Sequence, residues 1–345
     1  MNESLNKENY LENKKKKFDF IFANKIINKE EIQRLSWGGI PNEYRGILWR
    51  LLLETSTLNL NLYKNTLENK RDKYFYEFLQ TEKTMEFCVS GFSKINSNED
   101  KKMENLIFNF KNCNFKISGR SKRQIEIDVQ RISDEQKIYS KIDLSYIFKN
   151  ILSLTAQRKP AVGYVQGMAD ILVPFIHTFA TETSPIDLQI TESSSYFCFT
   201  RFLEEIQENF IDLQPGITKS IEEFKNALEA IDPELFLYLQ NINLQSDLFV
   251  FRWFNCFFLR EFVLKDSLII FDTLFSYKNI NFKQFSIFFG ISLLCFFRNE
   301  IFGKDFCDTL LFLQNINQKK WKLSEIHVLL STTYVNQHIY NKQVF

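Results

Sequence analysis

The 345-residue sequence lacks an excess of either charge, since 43 lysines and arginines face 42 aspartates and glutamates for a formal net charge of +1. The chain therefore has no overall electrostatic attraction for nucleic acid, and we expect no nucleic-acid partner. The one basic run is the four lysines at residues 14–17. Residues 1–8 lack the basic patch and apolar stretch of a secretory signal, so we expect no export.

Several kinds of chemical site are also missing from the sequence. The six cysteines show no CxxC spacing and several lie among apolar neighbours, which favours a reducing, cytoplasmic compartment. The three histidines, His177, His327 and His338, are far apart, which argues against a zinc site or a histidine-based triad. The ten glycines form neither GxGxxG nor GxxxxGK[ST]. We therefore expect no metal and no nucleotide held by the chain itself.

The sequence has no apolar run long enough for a transmembrane helix. The most apolar stretch, residues 285–297, is bracketed by Lys283 and Arg298. A membrane-spanning helix needs roughly 20 apolar residues, so this stretch predicts a buried core helix.

Helical periodicity is present along most of the chain. Leu144, Ile147, Phe148, Ile151 and Leu152 recur at i, i+3, i+4, i+7 and i+8, which predicts an amphipathic helix. The same spacing predicts helices over residues 196–210, 217–231 and 306–313, and no Asn-Gly or Asp-Gly hairpin signal appears. With 45% hydrophobic residues the chain can bury a large core, so the predicted fold is all-α.

Helix boundaries follow from proline, glycine and capping residues. Asp232-Pro233 predicts a helix start and Ser324-Glu325 opens the last helix in a similar way, while residues 159–163 and 214–216 predict breaks. Residues 93–104 are typical of an exposed insertion. Residues 1–30 are polar and predict a tail or a marginal helix, with the domain proper over residues 31–345. Removal of residues 1–30 is therefore expected to leave the folding and the function of the remaining domain unchanged.

Three short segments place special residues where helix formation alone does not require them. They are Gly39-Ile40-Pro41-Asn42-Glu43-Tyr44-Arg45-Gly46-Ile47-Leu48-Trp49, Ile125-Glu126-Ile127-Asp128-Val129-Gln130-Arg131 and Gly163-Tyr164-Val165-Gln166-Gly167-Met168-Ala169-Asp170. Each has a structural explanation on its own. Arg45 and Trp49, four residues apart, predict a guanidinium stacked on an indole, and a residue such as Gln166 at a helix start can simply face solvent.

Together and in this order, the segments resemble the three signature motifs of the TBC domain, the Rab GTPase-activating family. RxxxW corresponds to Arg45 and Trp49, IxxDxxR to Asp128 and Arg131, and YxQ to Tyr164 and Gln166. The resemblance covers about residues 35–340. Five segments resemble the Golgi-associated subgroup of the family. They are Tyr164-Val165-Gln166-Gly167, Gln214-Pro215-Gly216, Phe251-Arg252-Trp253-Phe254-Asn255-Cys256, Leu259-Arg260-Glu261-Phe262 and Phe312-Leu313-Gln314-Asn315.

The resemblance implies an all-α domain of two helical subdomains that activates a partner GTPase and performs no substrate chemistry of its own. The implied partner is a Rab in its GTP form, which itself holds the nucleotide and Mg²⁺. Arg131 then matches an arginine finger and Gln166 a glutamine finger. Asp128 is expected to hold Arg45 or Arg131, while Tyr164 and Trp49 fix the scaffold. A cytoplasmic protein recruited peripherally to Golgi or other endomembranes is implied as well.

Two departures from the family pattern leave alternatives open. Ile132-Ser133-Asp134 follows Arg131 where the family usually has Thr-x-Pro, and Ala169 replaces an asparagine common in the subgroup. Neither removes a finger. One alternative is a catalytically weak TBC domain that serves as a Rab-binding effector or scaffold, and another is an unrelated helical protein.

Overall fold

The computed structural model describes residues 2–79, 115–135, 144–277 and 281–344. The predicted insertion at residues 93–104 lies outside these ranges. Within them the chain is all-α, as predicted, with an isolated bridge between Ile26 and Asn59 and no β-strand. No helix of this part is long and apolar enough to span a membrane. The chain divides into two compact units, residues 1–63 with 201–345 and residues 64–200.

The helices follow one another as listed here: α1 Asn2–Phe22, α2 Lys29–Ser36, α3 Asn42–Leu52, α4 Leu60–Leu79, α5 Gly119–Glu135, α6 Ser145–Arg158, α7 Met168–Ala180, α8 Leu188–Glu205, α9 Pro215–Ile231, α10 Pro233–Asn241, α11 Asp247–Asn255, α12 Leu264–Ser276, α13 Phe282–Phe296, α14 Arg298–Ile301, α15 Phe306–Gln314 and α16 Leu323–Val344. Two 3₁₀ turns lie at Gln207–Asn209 and Ile316–Gln318.

The first unit is built around an aromatic core. Phe202 contacts the rings of Phe257, Phe271, Phe275 and Phe282 at centroid distances between 4.8 and 6.1 Å. Such edge-to-face and offset contacts add to the burial of large apolar surfaces. The stretch predicted as a core helix forms most of α13, which packs against α16 and α9.

The second unit packs α5, α6 and α7 against one another. Its core also contains a buried carboxyl, Glu192 on α8, whose Oε1 accepts hydrogen bonds from Tyr74 Oη at 2.7 Å and Asn150 Nδ2 at 3.0 Å. Burial, opposed by these two bonds, raises the pKa of Glu192 to about 7. The carboxyl is therefore poised to change its charge near neutral pH.

The predicted helices and breaks agree with most element boundaries. The segment at Leu144 begins α6, and α9 and α15 match their predictions, while α8 starts earlier than predicted and ends before a 3₁₀ turn. Asp232 caps α10 by accepting from Leu235 N at 3.0 Å. At the last helix the first residue is Leu323, and Glu325 accepts from Lys322 N at 2.8 Å. That cap therefore uses the side chain of Glu325.

Of the two alternatives for the N-terminal segment, a tail or a marginal helix, the structure shows a helix. Residues 2–22 form α1, on which Phe18 and Ile21 are 0% and 3% exposed, and α1 packs against α2. Lys14 is buried as well and donates from Nζ to the carbonyl oxygens of Trp37 and, at 2.7 Å, Gly39. The placement of a domain boundary at residue 30 stays a prediction. The expectation that residues 1–30 are dispensable stays a prediction too, and the buried face of α1 argues against it.

Candidate functional site

The residues matching the second and third motifs lie together in the second unit. Asp128 and Arg131 are on α5, and Tyr164 and Gln166 are in the connection that leads into α7. Helix α5 packs against α6 and α7, so the connection is attached to a packed group of helices. An ion pair and a hydrogen bond are among the side-chain contacts that join α5 to the segment of residues 164–170.

The first contact is an ion pair between Arg131 and Asp170. Arg131 Nη2 donates to both carboxylate oxygens, at 3.2 Å from Oδ1 and 3.1 Å from Oδ2. The arginine side chain is 28% exposed and the aspartate side chain 8%. Asp170 lies in the first turn of α7, where the helix dipole favours a negative charge. The guanidinium is therefore held by a fixed carboxylate and still reaches solvent.

The second contact joins Asp128 and Tyr164, both of which are buried. Tyr164 Oη donates to Asp128 Oδ2 at 2.6 Å. Burial, followed by the hydrogen bond to Asp128, raises the pKa of the Tyr164 phenol well above its usual range. The hydroxyl therefore stays protonated and remains a donor to the carboxylate. Asp128 thus accepts from Tyr164, while its expected contact with Arg45 or Arg131 and the expected role of Tyr164 in the scaffold stay predictions.

Gln166 lies between these two contacts in the chain and is exposed. Gly167, which follows it, is the residue before α7 and has φ = +107°, a region that favours glycine. The backbone thus turns sharply just after the glutamine. Tyr164 anchors the chain two residues before Gln166, and Asp170 anchors it four residues after.

The two departures from the family pattern fall on ordinary helical positions. Ile132 is buried, and α5 continues to Glu135, so Arg131 lies within a helix. Ala169 is fully buried in the first turn of α7.

The first motif lies in the first unit and forms a different network. Arg45 Nε donates to both oxygens of Asp272 at 3.1 and 3.2 Å, and Nη2 donates to the Ile40 carbonyl at 2.7 Å. Trp49 Nε1 donates to Asp272 Oδ1 at 2.7 Å. Asp272 on α12 is fully buried; burial raises the pKa of its carboxyl, and Arg45 and Trp49 oppose that rise. The sequence predicted that the Arg45 guanidinium stacks on the Trp49 indole. The structure shows that both side chains donate to the same carboxylate.

Lys14 extends this network toward α1. Its two acceptors, the carbonyls of Trp37 and Gly39, belong to the loop that leads into α3 and Arg45. Burial lowers the pKa of the Lys14 ammonium to about 8, and the nearby Asp272 opposes that shift. The N-terminal helix therefore supports the loop before the first motif.

Segments that resemble the subgroup contact one another in the first unit. Arg252 forms two parallel hydrogen bonds to the fully buried Glu261, both at 2.7 Å, and also donates to the Gln314 carbonyl at 2.9 Å. A Cβ atom on Gly216 would lie 2.5 Å from Asn209 Oδ1 and 2.8 Å from Asn209 N, so only glycine fits there. These residues serve the packing of the unit.

Sequence reasoning missed two carboxylates of these networks. Asp170 lies inside the third quoted segment but had no role assigned to it, and its position in the first turn of a helix was the available signal. Asp272 lies 227 residues from Arg45, and no local pattern marks it. Within the described part of the chain, no cluster of three metal-ligating side chains occurs.

Comparison with known proteins identifies the class. The model of the Rab-GTPase-TBC domain family matches residues 42–302, which is more than half of the chain. The chain therefore belongs to the Rab-GTPase-TBC domain family, and the resemblance of its motifs to that family is confirmed.

Individual relatives narrow the similarity further. The chain is 29% identical to the GTPase-activating protein gyp1 of Schizosaccharomyces pombe, over 96% of this chain and 62% of the relative. It is 26% identical to GYP1 of Saccharomyces cerevisiae, over 94% of this chain and 59% of the relative. It is 29% identical to human TBC1 domain family member 22A, over 92% of this chain and 59% of the relative. The chain thus spans 59–62% of the length of these relatives.

A solved structure agrees with the fold. The crystal structure of the Ypt/Rab-GAP domain of Gyp1p superposes with a TM-score of 0.80 at 28% identity, covering 96% of this chain and 99% of that domain. The similarity therefore extends over both units of the chain.

Proposed function

We propose that this chain stimulates GTP hydrolysis by a Rab-type GTPase by supplying Arg131 and Gln166 to the partner's active site. The observation that carries the proposal is the pair of contacts around these residues. Arg131 is held by Asp170 yet partly exposed, and Gln166 is exposed in a segment fixed by the bond from Tyr164 to Asp128. Preorganised groups of this kind are what activation in trans requires.

Arg131 is proposed to stabilise the negative charge that develops on the transferred phosphoryl group. An arginine supplied in trans accelerates GTP hydrolysis by about 10³ to 10⁵, which corresponds to roughly 4 to 7 kcal/mol of barrier. The planar guanidinium donates several hydrogen bonds in a fixed fork, which suits phosphate oxygens. The anchored position of Arg131 lowers the entropy lost when it engages the phosphate.

Gln166 is proposed to orient the water that attacks the phosphorus. The carboxamide carries an acceptor and a donor on one planar group, so it can bind a water hydrogen and a second oxygen together. GTP and Mg²⁺ are supplied by the partner, and the bond broken is the partner's. This chain contributes the positive charge of Arg131 and the positioning of the attacking water by Gln166.

We also place the activity of this chain on endomembranes such as the Golgi, where Rab proteins act.

The test of the arginine is single-turnover GTP hydrolysis with a panel of purified Rab proteins. Arg131→Ala and Arg131→Lys should both abolish stimulation, because an ammonium lacks the guanidinium fork. Arg123→Ala, an exposed arginine on the same helix, is the matched control and should retain activity. Stimulation by Arg131→Ala close to that of the wild type rejects the finger. Binding of a GTP-loaded Rab without stimulation by the wild type favours the effector or scaffold alternative.

The test of the glutamine uses a Rab whose own switch glutamine is changed to leucine. If Gln166 orients the water, the wild-type chain still stimulates this Rab, whereas an activator that supplies arginine alone does not. Gln166→Ala should lose most stimulation of the unmodified Rab. Strong stimulation of the unmodified Rab together with none of its leucine variant would show that the Rab positions the water.

A further inference from the structure

The basic run of residues 14–17 serves three different purposes in the structure. Lys14 is buried against backbone carbonyls, and Lys15 pairs with Glu43 at 2.8 Å. Lys16 lies 3.8 Å from Glu12, in a pair whose side chains are 71% and 65% exposed. Lys17 is exposed and has no ion pair within the described residues. Lys14 therefore supports the fold, Lys15 and Lys16 form exposed ion pairs, and Lys17 is exposed without one in this part of the chain.

Lys16 and Lys17 line a concave surface between α1 and α2. The concavity has a volume of about 580 Å³ and is lined by Lys16, Lys17, Phe20, Ile21, Glu31, Arg34 and Leu35. Arg34 is exposed and, like Lys17, forms no ion pair with the residues that the structure describes. The lining therefore holds three cations and one carboxylate, that of Glu31, and Lys16 also pairs with Glu12 beside it.

An exposed aromatic ring lines the same concavity. Phe20 is 74% exposed, although Ile21 beside it is buried in the core. A large apolar side chain that remains in water among lysines and arginines is typical of surfaces that adsorb to membranes. The cations attract anionic headgroups and the ring enters the boundary of the acyl chains.

We propose that this α1–α2 surface docks onto a membrane that contains anionic phospholipid. Lys17 and Arg34 contact the headgroup phosphates, and Phe20 inserts at the interface. A membrane accounts for both features of the surface, since an acidic peptide seated in the concavity would use the cations but give no reason for the exposed ring. The surface does not depend on GTPase activation, because vesicles without any Rab are sufficient to detect it.

Co-sedimentation of the full chain with vesicles tests the proposal. Binding is expected to vesicles of phosphatidylcholine and phosphatidylserine in equal parts, and not to phosphatidylcholine alone, and added salt should weaken it. Each cation near an anionic surface strengthens adsorption about fivefold, so Lys17→Ala with Arg34→Ala should weaken binding about 25-fold. Phe20→Ser should weaken it about tenfold through the lost apolar contact.

Lys265→Ala with Lys320→Ala is the matched control, because both lysines are exposed and neither has an ion pair among the described residues. This control should bind as the wild type does, and circular dichroism should show the same helix content for all variants. The proposal is overturned if the wild type does not bind the anionic vesicles, or if the Lys17 and Arg34 variant binds as tightly as the control. Binding of an acidic peptide that needs Lys17 and Arg34, without vesicle binding, also overturns it.

Discussion

Replacement of Asp170 by alanine tests how the proposed arginine finger is held. The substitution removes the two carboxylate oxygens that accept from Arg131 Nη2 at 3.1 and 3.2 Å, and it leaves the arginine side chain itself unchanged. We expect a fall in the rate of stimulated GTP hydrolysis with little change in the Rab concentration needed for half-maximal stimulation. The reason is that Asp170 acts on the orientation of Arg131 and not on partner contact.

The magnitude follows from the partial burial of the pair. Exposed ion pairs contribute roughly 0.2–1 kcal/mol, whereas loss of one partner from a fully buried pair costs about 3–5 kcal/mol. With side chains 28% and 8% exposed, the Arg131–Asp170 pair lies between these limits, so a loss of about 1–3 kcal/mol is expected. If the same amount is lost from the transition state, the rate falls about 5- to 150-fold.

A double-mutant cycle isolates the pair. Asp170→Ala, Arg131→Ala and the double variant are compared by urea unfolding, and Asp170→Ala and Asp170→Asn by single-turnover hydrolysis. The cycle cancels the interaction of Asp170 with the α7 dipole, since that loss occurs in both Arg131 backgrounds. Asparagine retains one acceptor and should recover part of the rate. Additive unfolding free energies, or an Asp170→Ala rate equal to that of the wild type, would refute the reasoning.

Three further predictions concern buried polar groups. Tyr164→Phe leaves the buried Asp128 without its 2.6 Å donor, so urea unfolding should show a loss of about 1–3 kcal/mol together with weaker stimulation. Glu192→Gln should be more stable than the wild type at pH 8 and lose this advantage toward pH 4.5. Between pH 4.5 and about 7 the unfolded wild type has released the Glu192 proton that the folded form still holds, so its free energy of unfolding falls as the pH rises. The total loss is about 3 kcal/mol, and Tm measured against pH for both proteins would show it. From pH 8 to 10.5 the folded wild type has released the Lys14 proton that the unfolded chain still holds, so the wild type gains stability as the pH rises. Lys14→Met lacks this gain and should become increasingly less stable than the wild type over that range. Equal profiles of stability against pH for the two proteins would contradict this.

The fold was predictable from the sequence where apolar residues recur at helical spacing. Helices such as α6 and α9 follow directly from that spacing, because one face of each must be buried. For the N-terminal segment the sequence left a tail or a marginal helix open, since its polar composition gives little sign that Phe18 and Ile21 are buried. Lys14 would be expected to face solvent, because lysine side chains are mostly exposed. Its burial depends on two backbone carbonyls of a loop that begins 23 residues later in the chain.

The candidate site was predictable to the extent that short motifs specify it. The motifs gave the positions of Arg131 and Gln166, whose roles stay predictions, but they did not give the partners of the charged groups. Asp128 was expected to hold Arg45 or Arg131, and the motifs gave no sign that it accepts a hydrogen bond from Tyr164. Pairing is decided by which side chain reaches a buried carboxylate in three dimensions, and spacing along one helix carries no information on residues from other elements.

The two motif arginines show why residue type alone does not identify a finger. Arg45 and Arg131 each donate to both oxygens of one aspartate, so their charge chemistry is the same. The Arg45 side chain is 10% exposed, however, with further acceptors at Ile40 and Asn42, and its carboxylate is fully buried. Exchange of that carboxylate for a phosphate would leave a buried charge unpaired, at a cost of about 3–5 kcal/mol. Arg131, whose side chain is 28% exposed, can turn toward an incoming anion, and the buried Asp170 keeps the favourable field of the first turn of α7. Accessibility therefore separates the arginine that holds the fold from the arginine that is suited to act on a partner.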